Sequence, residues 1–187
     1  MPTILSHAVV PLAIGLGAGR DRVSPALLLD GAAASMLPDL DVLAFHLGVA
    51  YAHPFGHRGF SHSLLFALAL GLAARLLAPR PRASRLVAFC FVFLATASHG
   101  LLDAFTTGGM GVALLWPLTE TRFFAPWRVI QVSPLSLNQI FGAKGLAVLL
   151  SELKWVWAPA FAVGGMLALL ARFHQPPATR QTESGVR

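Results

Sequence analysis

Leu86-Val87-Ala88-Phe89-Cys90-Phe91-Val92-Phe93-Leu94-Ala95-Thr96-Ala97-Ser98-His99-Gly100-Leu101-Leu102-Asp103 carries no charged side chain before its last residue. At 1.5 Å of rise per residue, a helix of this length comes close to crossing a hydrocarbon core of about 30 Å. Four more apolar segments lie near residues 4–19, 23–38, 61–78 and 155–171, with no internal repeat. A spanning helix needs about 20 residues, so the first two are short and are read as tilted, re-entrant or packed against the others. Each peptide group in hydrocarbon must find an internal partner, and nothing alternates as a barrel strand does. The expected fold is therefore all-α, a multi-pass helical membrane protein with about five apolar segments. It divides into a membrane-embedded domain over 1–174 and a polar, disordered tail over 175–187.

Composition agrees. Of 187 residues 56% are hydrophobic and 12% charged, and the mean hydropathy is +0.67. The net charge of +6 is spread over short connectors and forms no single basic face, which argues against a nucleic-acid partner. Cys90 has no intrachain partner and reads as a packing residue. Met1 to Ser6 lacks the basic side chain of a signal peptide, so segment one is expected to be retained.

Positive charges give an orientation. Arg20 and Arg22 separate segments one and two, Arg75, Arg80, Arg82 and Arg85 lie around the gap between three and four, and Arg172, Arg180 and Arg187 follow five. If these remain in the cytoplasm, so does the C-terminus, and the connectors over 39–60 and 104–154 face outward. Arg122, Arg128, Lys144 and Lys154 in the second outer connector weaken the bias. Trp116, Trp127, Trp155 and Trp157 fall in or beside that connector, as expected of indoles at the headgroup layer.

The imidazoles and carboxylates gather at segment ends that this topology brings to the outer face. His7 opens segment one, Asp39 and Asp41 follow two, His57 and His62 bracket the start of three, and His99 and Asp103 end four. His99 and Asp103 stand i, i+4 on one helical stripe, which suits two metal ligands or, equally, a hydrogen-bonded pair at a helix end. In His57-Arg58-Gly59-Phe60-Ser61-His62, Ser61 is a candidate N-cap. Arg58 is a candidate catalytic clamp for a phosphate or carboxylate, or else a headgroup anchor. Pro38 biases Asp39 and Asp41 toward an extended turn whose side chains diverge. There Asp39 is the expected ligand and Asp41 a catalytic-site carboxylate close behind it, against the alternative of a solvated acidic loop. His46, His53 and His174 have weaker cases. Asp30 is expected to pair with Arg20 or Arg22, and Glu120 and Glu152 are general-base candidates without a distinguishing spacing.

Imidazole and carboxylate ligands without thiolate suit a divalent metal such as zinc, manganese or iron better than calcium. The number of candidates leaves room for two ions about 3.5 to 4 Å apart, sharing a water.

In family order, His7, Pro38-Asp39-Leu40-Asp41, His57-Arg58-Gly59-Phe60-Ser61-His62-Ser63, His99-Gly100-Leu101-Leu102-Asp103, Thr106-Thr107-Gly108-Gly109 and Trp116-Pro117 resemble the YdjM-type family of membrane-bound metal-dependent hydrolases. Ser61 stands where that family often has threonine, and keeps the hydroxyl. The resemblance implies His7, Asp39, His57, His62, His99 and Asp103 as metal-site residues, and the ligand chemistry makes zinc or manganese the expected cofactor. It also implies a bacterial cytoplasmic (inner) membrane location. The expected function is hydrolysis of an ester or phosphoester near the headgroup layer by a metal-activated water, with membrane lipids as partners and a lipid or phosphoester as substrate. The competing classes are a non-catalytic scaffold or regulator-binding protein with a structural metal, and a metal transporter, whose ligands should lie nearer the bilayer midplane.

Overall fold

Residue 84 marks where the longest apolar run becomes a helix: the Ser84 hydroxyl accepts from Val87 N at 3.1 Å and opens helix Arg85–Ala104. The computed structural model describes residues 1–78, 84–134 and 142–173. Before that helix come α1 (Ile4–Ala18), α2 (Pro25–Met36), a 3-10 turn (Leu37–Val42), α3 (Leu43–His46), a second 3-10 turn (Phe60–His62) and α4 (Leu64–Leu77). The helix itself is α5, followed by α6 (Ala143–Glu152), a π turn (Leu153–Trp157) and α7 (Ala158–Phe173). Among the described residues extended pairing is limited to two isolated bridges, Thr106 with Ile130 and Val112 with Phe123. The architecture is all-helical.

Among the described residues two helices are long and apolar enough to cross a bilayer: α5, of 20 residues, and the continuous rod Ala143–Phe173, of 31. α1 and α4 are apolar but shorter. The expected fifth segment, 155–171, therefore begins too late. Lys144, Ser151, Glu152 and Lys154 hide the earlier turns from a hydropathy reading. The fold accommodates two of these: Ser151 donates back to Val148 O at 2.8 Å, and Glu152 is fully buried in a hydrogen-bond network. The connector expected over 104–154 is correspondingly shorter. The tail over 175–187, His174, Arg80 and Arg82 lie outside the described residues.

α4 packs along α5, α5 against α2, α2 against α1, and α1 against α7. Val23, Leu27, Ala34, Ala88 and Val92 form the centre of the α2–α5 contact. The α1–α7 crossing is set by backbone contact: a Cβ at Gly17 would fall 2.1 Å from Gly164 O, and one at Gly164 would fall 2.3 Å from Ala13 O. Small residues let membrane helices approach where no water drives them together. Leu16, Leu29, Leu76, Leu94, Phe161 and Leu169 point outward and exposed, as they would toward lipid. Asp30 does not pair with Arg20 or Arg22; it lines a cleft of about 410 Å³ with Leu27, Ala74 and Val92, while Arg22 turns back to Ala18 O at 3.3 Å.

Candidate metal centre

One end of the bundle collects the C-terminal ends of α2 and α5 and the N-terminal ends of α1 and α4. α1 contributes His7, the 3-10 turn after α2 contributes Asp39, the turn before α4 contributes His62, and the last turn of α5 contributes His99 and Asp103. Asp39, His62, His99 and Asp103 each offer one ligand atom such that all four lie within 4.8 Å of one another. His99 Nε2 is 3.0 Å from His62 Nε2 and 3.3 Å from Asp39 Oδ1, and His62 Nε2 is 3.4 Å from Asp103 Oδ2. His7 stacks on His99 with ring centroids 3.6 Å apart, its Nε2 3.8 Å from Asp103 Oδ1 and 3.9 Å from Asp39 Oδ2.

These separations decide what can occupy the middle. Two ligand atoms about 2.1 Å from a common ion are about 3.0 Å apart at a right angle and about 3.4 Å apart at a tetrahedral one. The contacts to His7 are too long for hydrogen bonds but suit groups facing one ion. Both nitrogens of His7 and both carboxylate oxygens of Asp39 are buried without a hydrogen-bond partner among the described residues, while Asp103 faces Arg58 Nε at 2.9 Å through Oδ2 and keeps Oδ1 without one. Buried carboxylates in that condition are costly unless a cation faces them. The donor set fits a divalent metal.

The second nitrogen of two rings is committed elsewhere. His99 Nδ1 lies 2.7 Å from Ser35 O, which can only accept, so Nδ1 carries the proton and Nε2 turns a lone pair inward. His62 Nδ1 lies 3.2 Å from Asp41 Oδ2, with the same result. With both Nε2 lone pairs converging at 3.0 Å, a proton or a metal ion must lie where they meet.

Asp41 serves from behind. His57 Nδ1 donates to its Oδ1 at 2.6 Å, while Arg58 N and the Ser61 hydroxyl donate to Oδ2 at 3.1 and 2.7 Å. Burial works against charge on Asp41, but the hydrogen bonds from His57 and His62 prevail and hold its pKa well below the usual carboxylate range. The turn geometry explains how neighbouring carboxylates divide. Leu37–Val42 is a 3-10 helix and not the extended turn expected from Pro38. At three residues per turn, positions 39 and 41 point about 120° apart, one into the cluster and one at its rear. His57 stays with Asp41, its ring 5.5 Å from that of His62, and joins a second group formed by Asp41, His57 and His62. The two groups use opposite nitrogens of His62, so they do not form a close pair of sites sharing one water.

Arg58 takes a different position from the substrate clamp expected of it. It is fully buried, its Nε 2.9 Å from Asp103 Oδ2, with Nη1 donating to Gly108 O at 2.9 Å and Nη2 to Thr106 Oγ1 at 3.0 Å. The guanidinium is directed into the protein, where it fixes Asp103. Its backbone has φ 62, the left-handed region that side chains other than glycine seldom adopt, at a cost of about 1–3 kcal/mol. Gly109 makes room: a Cβ there would be 2.6 Å from Arg58 Nη1.

Ser61 is not the cap of α4. Ser63 is, accepting from Phe66 N at 3.1 Å, and Ser61 is thereby free to hold Asp41. Glu152 accepts from the Thr3 and Ser6 hydroxyls at 2.7 and 2.8 Å and so braces the start of α1 instead of standing as the base considered for it. Glu120, His46 and His53 are exposed and outside the cluster. Two contributors were not legible in the residue pattern. Ser35 acts through a backbone carbonyl, which has no sequence signature. Arg122 ties the 51–57 loop by donating to His57 O at 2.8 Å and to Tyr51 O and His53 O at 3.2 Å, and its only signal was a charge in an otherwise polar connector.

Compared with known proteins, the chain matches the model of the YdjM inner membrane protein family over residues 1–176. It is 49% identical over 168 residues to "Inner membrane protein YbcI" of Escherichia coli (strain K12), an alignment that covers 89% of this chain and 97% of that relative. No solved structure matches.

Proposed function

The chain belongs to the YdjM inner membrane protein family, and from that premise we propose that it is a multi-pass, metal-dependent hydrolase of the bacterial inner membrane, cleaving an ester or phosphoester at the headgroup level. The observation that supports this best is the convergence of His62, His99, Asp39 and Asp103, with His7 beside them, in a buried layer where neither oxygen of Asp39 has a hydrogen-bond partner among the described residues and Arg58 faces only one oxygen of Asp103. These five side chains would hold one divalent ion, with zinc and manganese both suited to the mixed nitrogen and oxygen set. A metal there supplies Lewis acidity and a water whose pKa is brought toward about 7.

The protein's own groups arrange the site around that chemistry. Ser35 and Asp41 set the tautomers of His99 and His62. Arg58 occupies one side of Asp103 and balances one of the buried carboxylate charges. His57, held by Asp41, stands at the edge of the layer in a positioning role. By the distribution of basic residues, the site end faces outward and the C-terminus lies in the cytoplasm.

A structural-metal scaffold is the second reading, and one observation favours it: His7, His99 and Asp103 are 0% exposed, and Asp39 and His62 no more than 4%. A closed set of ligands is the habit of structural metal sites, whereas catalytic ones keep a position open. Metal analysis of detergent-purified wild type, His99→Ala and Asp103→Ala, run beside a panel of phosphoester and carboxyester substrates, separates the readings. The hydrolase predicts joint loss of metal and activity. Metal loss from the variants with no wild-type hydrolysis across the panel would transfer the assignment to the scaffold, and wild-type metal content in both variants would remove the centre altogether.

A further inference from the structure

On the flank of α5, beside the buried layer, lies a cavity of about 350 Å³ lined by Leu102, Phe105, Trp127, Val129, Ile130 and Trp155. Its walls come from three elements. Leu102 and Phe105 bracket Asp103 at the end of α5, the extended stretch 127–130 is tied there by Ile130 N donating to Phe105 O at 3.1 Å, and Trp155 sits on the π turn. The lining is apolar and aromatic, yet the cavity stays open, with Trp127 73% and Trp155 45% exposed.

Each of the two tryptophans has a cation next to it in sequence, held on a ring face. Arg128, next to Trp127, lies over the Phe124 ring at 4.8 Å, and Lys154, next to Trp155, lies over the Trp155 ring at 5.0 Å. Both are exposed, and neither has a carboxylate within ion-pair distance among the described residues. Cations held on ring faces keep their charge available to an anion. Tryptophans that line an apolar cavity, each next in sequence to a cation without a carboxylate partner, are complementary to one amphiphile, with a hydrocarbon chain below and a phosphate above.

We propose that this cavity is a binding site for a single anionic phospholipid, whose acyl chain enters between Trp127 and Trp155 while its phosphate meets Lys154 and Arg128. The site is separate from the metal layer, and lipid occupancy does not depend on whether that layer performs hydrolysis. A phosphate-bearing chain held here stands beside the helix end that carries Asp103.

Tryptophan fluorescence reads the occupancy directly. The full chain is placed in phosphatidylcholine bilayers containing increasing mole fractions of phosphatidylglycerol with brominated acyl chains, and compared with brominated phosphatidylcholine as quencher. Each basic side chain at the membrane surface contributes about fivefold in affinity for an anionic lipid, so the two together give about thirtyfold. Quenching by the anionic lipid should reach half its maximum near a mole fraction of about 0.03, whereas brominated phosphatidylcholine, exchanging evenly with the host lipid, quenches in proportion to its mole fraction. Lys154→Gln should reduce the preference by about fivefold and Lys154→Gln with Arg128→Gln should abolish it, with metal content unchanged in both. Trp127→Phe with Trp155→Phe should remove the preferential quenching, since Trp116 and Trp157 are outside the cavity. Quenching that rises linearly and equally with both lipids would mean ordinary boundary lipid and overturn the proposal, as would a preference that survives the double cation variant.

Discussion

Arg58→Met tests whether Arg58 belongs to the interior of the centre. Its Nε and Asp103 Oδ2 are 2.9 Å apart, with side chains 1% and 0% exposed. Removing one partner of a buried ion pair costs about 3–5 kcal/mol, because the surviving charge has no solvent to turn to. Here the survivor would be Asp103, with Asp39 close by and unpartnered as well. Methionine keeps the length and apolar bulk, so the loss isolates the guanidinium; the left-handed backbone at φ 62 is strained in both proteins. For a chain of this length about 1 kcal/mol shifts the melting temperature by about 2–4 °C, so the metal-free variant should melt about 6–20 °C lower. A divalent cation at 100 times its Kd restores about 2.7 kcal/mol by binding the folded state. The assay is thermal unfolding in detergent of wild type, Arg58→Met, Asp103→Asn and the double variant, each with chelator and with excess zinc. Asp103→Asn removes the stranded charge, so the double variant should be less impaired than the sum of the singles by more than about 1 kcal/mol. Additivity within about 0.5 kcal/mol would refute the coupling, since independent sites behave that way. The same positions make Arg58→Lys disruptive to metal retention, because a lysine cannot reach Thr106 and Gly108 O with separate nitrogens while holding Asp103.

Asp41→Asn should lower metal affinity about 10–100-fold, the usual effect of losing a carboxylate that orients ligating imidazoles, as read by competition with a chromogenic chelator. Because Asp41 has a depressed pKa in the fold, its stabilisation is complete above the ordinary carboxylate range and is lost as pH falls through the lower folded value, so wild-type melting should be more acid-sensitive below about pH 4 than that of Asp41→Asn. Gly17→Leu should destabilise by more than the about 1–3 kcal/mol typical of overpacking, since the new side chain meets Gly164 backbone that cannot rotate aside; a melt unchanged from wild type would mean that α1 and α7 are not in contact. Single cysteines at Ala52 and Asp21, in a Cys90→Ser background, should be labelled from opposite sides of the membrane by an impermeant maleimide. Labelling of both from one side would contradict the charge-derived orientation.

Apolar runs and the order of the chemistry-bearing residues already stated the helical class, the membrane setting and the candidate ligands, because burial in lipid forces hydrophobicity and internal hydrogen bonding on long local stretches that can be read one segment at a time. His99 and Asp103 were legible for the same reason: a helical period relates them within a few residues. The helix start at Ala143 was hidden because Ser151 and Glu152 look like connector residues until their partners are seen: Ser151 donates back to Val148 O in its own helix, and Glu152 accepts from Thr3 and Ser6 at the beginning of α1. Asp39 and Asp41 were distinguishable only in part: sequence placed both beside Pro38, but the 3-10 turn and the arrival of His57, Ser61 and His62 decided which faces the layer and which stands behind it. Arg58 was the furthest from its expected part, since an arginine beside two histidines reads as a clamp for substrate or as a headgroup anchor, and nothing local points to Asp103. That choice belongs to tertiary structure, for the physical reason that a charge takes its role from whatever faces it, and Asp103 lies 45 residues along the chain yet 2.9 Å away in space.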